Sequence, residues 1–320
     1  MNTVLVTGAA GFIGSHVTEK LLDKGYKVIG IDNFDIFYSR QIKERNLINI
    51  IQRPNFQFIE SDIRNRENFR TICISNKIES IIHLAARAGV RPSIVDPTLY
   101  ISVNIDGTVN ILETMKECGI KKLVFASSSS VYGDTNTVPY SETQNTDYPV
   151  SPYAATKKAC ELFCSQYSTL YNLNISCLRF FTAYGPRQRP EMAIHKFVRH
   201  IVNELPIEMY GDGTTARDYT YISDIVDGII ASLNYLSGFE IYNLGESSSI
   251  PLIKLIRLLE EILHKKAIVN NLPMQSGDVH FTFADISKAK TKLHYNPSIG
   301  IETGLQYFCD WYKKENNVQV

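Results

Sequence analysis

The chain of 320 residues has no excess of charge of either sign, because 33 lysines and arginines balance 33 aspartates and glutamates. A neutral chain carries no general electrostatic signal for nucleic acid, so we predict no nucleic-acid partner. The sequence also lacks an apolar run near the roughly 20 residues that a membrane helix needs. The first strand pattern begins almost at Met1 and leaves no room for a signal peptide. We therefore expect a cytoplasmic protein without membrane association.

Cysteine is scarce, with six residues scattered along the chain. Cys160 and Cys164 lie one helical turn apart, but no histidine or second cysteine pair accompanies them at the spacing of a zinc site. We expect reduced and mostly buried thiols, which suit a cytoplasmic protein, and no metal site. His83 ends an apolar strand pattern and is interpreted as a packed core residue.

The first half of the chain alternates short apolar stretches with helical ones. The predicted strands are at residues 3–7, 27–31, 55–60, 80–84, 122–127 and 175–180. The predicted helices include residues 13–24, 97–118 and 151–171. Strands that are apolar on both faces are typical of a parallel sheet covered by helices on each side. The pattern predicts an α/β fold with a Rossmann-type, doubly wound parallel sheet.

The pattern changes after Tyr184. A loop rich in proline and charge follows, then a predicted helix at 193–203, short strands and a predicted helix at 250–263. We assign residues 1–182 to the dinucleotide-binding domain. The chain is expected to return to the sheet once, near residues 219–243. Residues 183–320 are expected to form mainly a smaller α/β lobe that binds the substrate.

A glycine-rich turn connects the first strand to the first helix through Gly8, Gly11 and Gly14. Such a turn lets the backbone approach a pyrophosphate, which the helix N-terminus then binds with free N–H groups and partial positive charge. Asp32 closes the second strand about 20 residues later. A carboxylate there binds the ribose diol and repels a 2′-phosphate, so the cofactor is predicted to be NAD.

The spacing of the three glycines resembles the extended short-chain dehydrogenase/reductase family, and the resemblance covers nearly the whole chain. It implies that Asp62 and Ile63 frame the adenine and that Asn33 lies beside the ribose with Asp32. It also implies further NAD contacts from the helix start, from the end of the fourth strand and from the catalytic helix. These residues are Phe12, Ile13, Leu84, Ala85, Ala86, Tyr153 and Lys157.

Tyr153 and Lys157 form a Tyr-x-x-x-Lys motif, so one helical turn separates them and both side chains face the same side. A lysine cation near a phenol stabilises the phenolate, which can take a proton from a sugar hydroxyl as hydride leaves for NAD. The family resemblance places a catalytic serine or threonine four residues before the tyrosine of the Val-Tyr-Gly motif, and that position is Ser128. These three residues are the predicted catalytic set.

The residues after Ser128 separate the reactions found in the family. The resemblance implies an Asp-Glu pair at this point in sugar-nucleotide 4,6-dehydratases and a glutamate at position 130 in UDP-glucuronate decarboxylases. This chain has Ser129 and Ser130 instead. The resemblance therefore favours a 4-epimerase, which inverts one carbon through a 4-keto sugar and keeps its NAD tightly bound.

The segments 88–93, 184–193 and 275–279 look like those of UDP-glucuronate 4-epimerases. With Ser129 and Ser130, Thr182 supplies neutral hydroxyl donors that could surround the C6 carboxylate of the sugar. Arg189 could pair with that carboxylate or with a diphosphate oxygen, and the sequence does not decide between them. The predicted reaction is the conversion of UDP-glucuronate to UDP-galacturonate.

The remaining substrate contacts are implied by the same resemblance. Arg217 matches an arginine that grips the phosphates, Gln275 and Asp278 would lie near the uridine ribose, and Arg91 belongs to the similar segment 88–93. The helices near 97–118 and 151–171 imply a homodimer built on a four-helix interface.

Four alternative functions stay open. The first is 4-epimerisation of UDP-glucose or UDP-N-acetylglucosamine, and a second is decarboxylation of UDP-glucuronate. The others are a net reductase and a non-enzymatic NAD sensor. The sensor is disfavoured because such proteins usually lose one residue of the Tyr-Lys pair, and both are present here.

Overall fold

A computed structural model describes residues 2–134, 137–274 and 279–317. The strands of the described residues are β1 (Thr3–Thr7), β2 (Lys27–Asp32), β3 (Phe56–Glu60), β4 (Ser80–His83), β5 (Lys122–Ser128), β6 (Asn174–Phe180), β7 (Thr182–Tyr184), β8 (Ile207–Tyr210), β9 (Ala216–Tyr221), β10 (Phe239–Leu244), β11 (Ser249–Pro251) and β12 (Val269–Leu272). The α-helices are α1 (Phe12–Asp23), α2 (Arg40–Leu47), α3 (Arg66–Asn76), α4 (Val90–Val95), α5 (Pro97–Tyr100), α6 (Gly107–Cys118), α7 (Pro152–Tyr171), α8 (Ala193–Val202), α9 (Ile222–Asn234), α10 (Leu252–Leu263), α11 (Ser287–Leu293) and α12 (Ile301–Glu315).

The largest sheet has seven strands in the order β10-β6-β5-β4-β1-β2-β3, and every neighbouring pair is parallel. The order reverses between β1 and β4, which is the switch point where doubly wound sheets bind their ligands. The Rossmann-type fold predicted from the alternating pattern is therefore confirmed.

Each face of this sheet is covered by its own apolar core. Val4 and Val6 of β1 pack with α1, α9 and the C-terminal lobe, whereas Leu5 points to the other face and packs with α3, α6 and α7. Alternate residues of a strand point to opposite faces. Because both faces are buried, β1 is apolar along most of its length rather than alternating.

The C-terminal part of the chain forms two small sheets and also adds one strand, β10, to the large sheet. The first small sheet has the order β11-β9-β7, and the second pairs β12 with β8. Between β9 and β11 in the chain, α9 packs on α1, and β10 joins the edge of the large sheet beside β6. The segment that follows β10 therefore lies next to the end of β6.

Two helices differ in detail from the pattern in the sequence. The predicted helix at 97–118 contains a π-helical segment, Ile101–Asp106, between α5 and α6. The predicted helix at 250–263 begins at Leu252, because Ser249–Pro251 pairs with β9 as the strand β11. Helix α7 begins as expected, with the hydroxyl of Ser151 accepting the Ala154 N–H at 3.1 Å and a proline in the first turn.

Candidate active site

A cleft of about 360 Å³ lies at the carboxyl ends of the large sheet, beside the switch point. The residues predicted from the sequence to bind NAD or to act in catalysis all line it, together with four predicted substrate residues. The lining includes Gly8, Gly11, Phe12, Ile13, Gly14, Asp32, Asn33, Asp62, Ile63, Leu84, Ala85, Ala86, Ser128, Ser129, Ser130, Tyr153, Lys157, Thr182 and Arg189. The fold thus brings into one cleft groups that are up to 181 residues apart in sequence (Gly8 to Arg189).

The glycine turn can form only with glycines, because side chains at these positions would clash with the neighbouring backbone. Gly8 has a φ of +71°, and a Cβ there would lie 2.9 Å from the Ala85 nitrogen. A Cβ on Gly14 would lie 2.0 Å from the Gly8 oxygen. The amide groups in the first turn of α1 have no acceptor within the helix and are available to a diphosphate. The turn and helix would therefore hold the centre of NAD.

Asp32 lies at the end of β2 with its carboxylate buried. Its oxygens accept the N–H groups of Ala10 at 3.2 Å and Phe34 at 2.9 Å, and the Lys43 ammonium lies 3.7 Å away. Burial raises the pKa of Asp32, and the charge of Lys43 opposes that rise. The backbone bonds fix the carboxylate at the position where a ribose diol is expected.

The predicted adenine end is formed by the loop after β3. Asp62 accepts bonds from Asn33 at 2.9 Å and from Arg64 at 2.7 Å. Burial raises the pKa of Asp62, but the bonds from Arg64 and Asn33 outweigh it and lower the value to about 2. Asp62 is therefore a carboxylate throughout the physiological range, and it orients Asn33 beside Asp32.

The first two turns of α7 place the predicted catalytic pair in the cleft. Lys157 is buried, and its Nζ donates to the Ala126 oxygen at 2.7 Å and lies 5.0 Å from the centre of the Phe125 ring. The Tyr153 ring packs edge-on against Tyr100, with 6.2 Å between ring centres. The bond to β5 therefore fixes the position of Lys157, and packing against Tyr100 of α5 fixes that of Tyr153.

The serines after β5 form a bonded unit. Ser128 Oγ accepts the Ser130 N–H at 3.2 Å and donates to Ser130 Oγ at 3.1 Å. Ser129, Ser130 and Thr182 line the same cleft as Tyr153. The described wall next to Tyr153 thus presents neutral hydroxyl groups, as the sequence predicted, and no acid stands at positions 129 or 130.

A buried ion pair supports this wall. Glu161 lies one helical turn after Lys157 and receives Nε and Nη2 of Arg179 at 2.9 and 2.8 Å. It also accepts the Ser127 hydroxyl at 2.6 Å. The Glu161–Arg179 pair joins α7 to β6, and the bond to Ser127 joins α7 to β5. This support was not predicted from the sequence, although Glu161 repeats the four-residue spacing of Tyr153 and Lys157.

Arg189 reaches the cleft from the loop before α8. Its Nε lies 3.1 Å from a carboxylate oxygen of Glu191, and its guanidinium lies 5.5 Å from the centre of the Phe37 ring. The side chain is 21% exposed. Arg189 is thus held at the edge of the cleft, beside the smaller C-terminal lobe.

A second cleft continues from the first, and Thr182 and Met192 line both. It contains the other two predicted arginines of the described chain, Arg91 and Arg217. The Arg91 guanidinium lies 4.7 Å from the centre of the Tyr210 ring. Arg217 donates to the main-chain oxygens of Ala216 at 3.0 Å and His280 at 3.3 Å. The predicted uridine contacts Gln275 and Asp278 lie outside the described residues.

His83 is a core residue, as interpreted from the sequence. Its ring nitrogens lie 2.7 Å from the Thr7 hydroxyl and 3.1 Å from the Thr108 hydroxyl. Burial, with a smaller contribution from the charge of Lys157, lowers the pKa of His83 to about 3. Within the described parts of the chain, no group of three histidine, cysteine or acidic residues is arranged to hold a metal ion.

The cleft also contains residues that the sequence analysis missed: Asp35, Phe37, Tyr38, Lys43 and Arg87. Arg87 directly follows the predicted NAD contacts Leu84, Ala85 and Ala86, so an arginine just after an apolar strand was an available signal. The others lie in an irregular loop and the start of α2, where no periodicity indicates which side chains face inward.

The fold and the cleft define a dinucleotide-dependent enzyme with a Tyr-x-x-x-Lys pair. A family model described as GDP-mannose 4,6 dehydratase matches residues 5–308. A UDP-glucuronate 4-epimerase of Thermodesulfobacterium geofontis (strain OPF15) is 47% identical over 98% of this chain and 97% of its own length.

Solved structures agree with this relationship. A UDP-glucuronic acid 4-epimerase from Bacillus cereus, in complex with UDP-glucuronic acid and NAD, is 38% identical with a TM-score of 0.92 and covers 98% of this chain and 99% of its own. A UDP-glucose 4-epimerase from Thermotoga maritima with UDP-glucose is 32% identical with a TM-score of 0.91, over 98% and 99% of the two chains. The chain belongs to the GDP-mannose 4,6-dehydratase family of extended short-chain dehydrogenase/reductases.

Proposed function

We propose that the protein is an NAD-dependent UDP-glucuronate 4-epimerase that forms UDP-galacturonate through a 4-keto intermediate. The observation that carries this proposal is the wall of neutral hydroxyls, from Ser128 to Ser130 and at Thr182, in one cleft with Tyr153 and Lys157. These groups can bind a sugar carboxylate, and they include no acid or base for the elimination of water.

Tyr153 is the group that takes the proton from the sugar 4-hydroxyl and later returns it. Lys157 provides the positive charge that favours the phenolate, and its bond to the Ala126 oxygen holds it against β5. Ser128 donates a hydrogen bond to the sugar oxygen as charge develops there. When bound, NAD accepts the hydride of the sugar carbon and gives it back to the opposite face.

The hydroxyl wall also has a protective role. Oxidation at C4 of a glucuronide makes a β-keto acid, which loses CO2 readily when its carboxylate aligns with the carbonyl. Ser129, Ser130 and Thr182 would hold the carboxylate away from that alignment, and Arg189 would bind it or the adjacent diphosphate. A firm clamp therefore separates epimerisation from decarboxylation.

The nucleotide part of the substrate is assigned to the second cleft. Arg91 and Arg217 supply positive charge there for a diphosphate, and Gln275 and Asp278 are proposed to contact the uridine ribose. Residues 183–320, without the strand and helix that return to the large sheet, would then form the substrate lobe. Residues 1–182 would form the NAD-binding domain.

One second candidate is favoured by a specific observation. The Thermotoga maritima protein that is 32% identical to this chain is a UDP-glucose 4-epimerase with UDP-glucose. An enzyme for this neutral sugar would bind no C6 carboxylate, so Arg189 would serve only the diphosphate. The two candidates differ in whether the C6 group carries a charge.

Proton NMR of purified protein with UDP-glucuronate and no added NAD tests the proposal. The appearance of UDP-galacturonate would support both the reaction and the retained cofactor. A pentose or 4-keto-pentose product would show that the hydroxyl wall does not protect the carboxylate, and the protein would be a decarboxylase. Turnover of UDP-glucose but not UDP-glucuronate would favour the second candidate.

We propose that the protein works as a homodimer. Helix α7 carries exposed apolar side chains at Leu162, Phe163 and Leu170, and Ile101 at the start of the π-helical segment is also exposed. Two copies could bury these side chains against each other in a four-helix interface. Light scattering at micromolar concentration should give twice the monomer mass, and a monomeric mass would refute the dimer.

A cytoplasmic location is proposed on the state of the thiols. The six cysteines are all free, and five of them are buried. Disulfides are typical of oxidising compartments, so free thiols favour a reducing one. In the described residues, no helix combines the length and the apolar character of a membrane span.

A further inference from the structure

The loop after β2 crosses the cleft instead of turning away from it. Phe34 adopts a left-handed φ of +50°, which directs the following residues over the carboxyl ends of the strands. The Asp35 carboxylate then accepts the Phe37 N–H at 2.9 Å, and its main-chain oxygen accepts the Lys43 ammonium at 2.9 Å. The loop is therefore ordered by its own bonds, and it holds the Asp35 side chain in one place.

Arg87, at the end of β4, meets this loop from the other side. Its guanidinium forms an ion pair with the Asp35 carboxylate and lies 4.7 Å from the centre of the Phe37 ring. Its main chain is fixed by Asn104, which accepts the Arg87 N–H at 2.8 Å and donates to the Arg87 oxygen at 3.0 Å. The side chains of Arg87 and Asp35 are 16% and 27% exposed, so the pair is largely shielded from water.

The strand order places this contact above the cofactor. Strands β4 and β2 lie on either side of β1, whose end carries the glycine turn from Gly8 to Gly14. Neighbouring strands are about 4.8 Å apart, so a bridge from β4 to β2 spans about 10 Å and passes over the end of β1. A diphosphate bound at the glycine turn would lie beneath that bridge.

The Arg87 side chain also retains an unused donor. Its Nε is buried and, among the described residues, has no hydrogen-bond partner. A buried donor left without an acceptor costs free energy, and an anionic ligand in the same cleft would remove that cost. Arg87 and Asp35 both line the cleft that contains the glycine turn.

We propose that Arg87 and Asp35 form a clasp that closes over bound NAD and sets the rate at which the cofactor leaves. This inference rests on the proposed function, because an epimerase regenerates its NAD in every cycle and gains from keeping it. The clasp must open for NAD to pass between the loops after β2 and β4. Neither residue is required to touch the sugar or to move a proton.

The test measures release of NAD from the purified holoenzyme, with excess alcohol dehydrogenase and ethanol converting free NAD to NADH. Arg87→Gln and Asp35→Asn should each release NAD about tenfold faster than the unmodified protein, since each removes a shielded ion pair. The double variant should be no faster than Arg87→Gln alone, because Arg87→Gln already breaks the contact that Asp35→Asn breaks. Added NAD should restore turnover in each variant.

Arg53→Gln is the matched control. Arg53 also pairs with an aspartate, Asp23 at 2.6 Å, but it lies near the amino ends of the strands, away from the cleft. Its release rate should equal that of the unmodified protein. Equal release from Arg87→Gln and Asp35→Asn would overturn the clasp and leave the proposed function intact. If Arg87→Gln does not fold, Asp35→Asn decides the question alone.

Failure of the proposed function gives a different result. In that case the unmodified protein would contain NAD but would not convert UDP-glucuronate to UDP-galacturonate, and the release rates of the variants would still test the clasp. A holoenzyme that epimerises UDP-glucuronate but loses NAD at the same rate in every variant contradicts the clasp only.

Discussion

At the scale of single residues, position 130 separates the reactions that this cleft could support. Ser130 donates its N–H to Ser128 and also accepts the Ser128 hydroxyl, so its side chain is already aligned with the serine proposed to act in catalysis. A glutamate at the same position would bring a negative charge to the wall where a sugar carboxylate is proposed to bind. Thr182, on β7, supplies a hydroxyl to the same cleft.

Replacing Ser130 with glutamate or Thr182 with valine should increase the share of decarboxylated product from UDP-glucuronate. A hydrogen bond to a charged group contributes about 1.5–3 kcal/mol, so the product ratio should change about tenfold or more. Proton NMR of the products measures the ratio. Thr291→Val, which removes an exposed hydroxyl that donates to the Ser287 oxygen, should leave it unchanged. An unchanged ratio in both cleft variants would refute the carboxylate clamp.

At the scale of secondary-structure elements, α7 has to keep a fixed position against β5 and β6, because it carries the tyrosine and lysine. Glu161 provides that connection through Arg179 and Ser127, and both members of the ion pair are 2% exposed. Water cannot replace a lost partner at this depth. The helix α7 is therefore held by a buried ion pair in which removal of either side chain leaves the charge of the other without a partner.

Glu161→Gln should lower the free energy of unfolding by about 3–5 kcal/mol, because it leaves the Arg179 charge buried without its counterion. Urea denaturation measures the loss. Glu60→Gln is a suitable control, because Glu60 pairs with Arg40 on the surface at 50% exposure and the substitution should change stability little. If the Glu161→Leu, Arg179→Met double variant is less stable than Glu161→Gln alone, the buried charge is not the cause.

At the scale of the whole molecule, buried carboxylates join the large sheet to the smaller lobe. Asp218 on β9 accepts the N–H groups of Glu246 at 2.8 Å, Ser247 at 3.1 Å and Ala284 at 3.1 Å. Burial raises the pKa of Asp218 to about 6. Burial, together with the charges of Asp224 and Asp218, raises the pKa of Glu246 from 4.5 to about 7.

This raised pKa makes stability depend on pH in a defined direction. Between pH 4.5 and about 7 the folded state binds the Glu246 proton more tightly than the unfolded state, so the contribution to stability falls as the pH rises. Above that range the charged carboxylate opposes folding. Glu246→Gln should therefore raise the melting temperature at a pH above 7 and have little effect below 4.5.

Differential scanning fluorimetry across the pH range gives the comparison. Glu204→Gln, at a side chain that is 76% exposed, is the control and should change the melting temperature little at any pH. A Glu246→Gln variant whose melting temperature follows that of the unmodified protein at every pH would show that this carboxylate does not control the pH dependence.

The central sheet could be predicted because its signals are local. Apolar strands such as Thr3–Thr7, glycines at fixed spacing and the Tyr-x-x-x-Lys motif each reflect chemistry within a few residues. The π-helical segment Ile101–Asp106 could not be predicted from the sequence. Its hydrogen bonds span one residue more than those of an α-helix, and over six residues this hardly changes the spacing of apolar side chains. The start of α10 was misplaced because pairing with β9, which is distant in sequence, fixed residues 249–251 as a strand.

The sequence by itself determined the class of fold, the glycine turn and the predicted catalytic pair, since each depends on the order of residues along a short stretch of chain. Only the tertiary structure decided which distant side chains meet. The contact between Asp35 and Arg87 and the pairing of Glu161 with Arg179 follow from strand order and helix packing. The physical reason is that charge pairing and burial act through space, whereas the sequence specifies neighbours only along the chain.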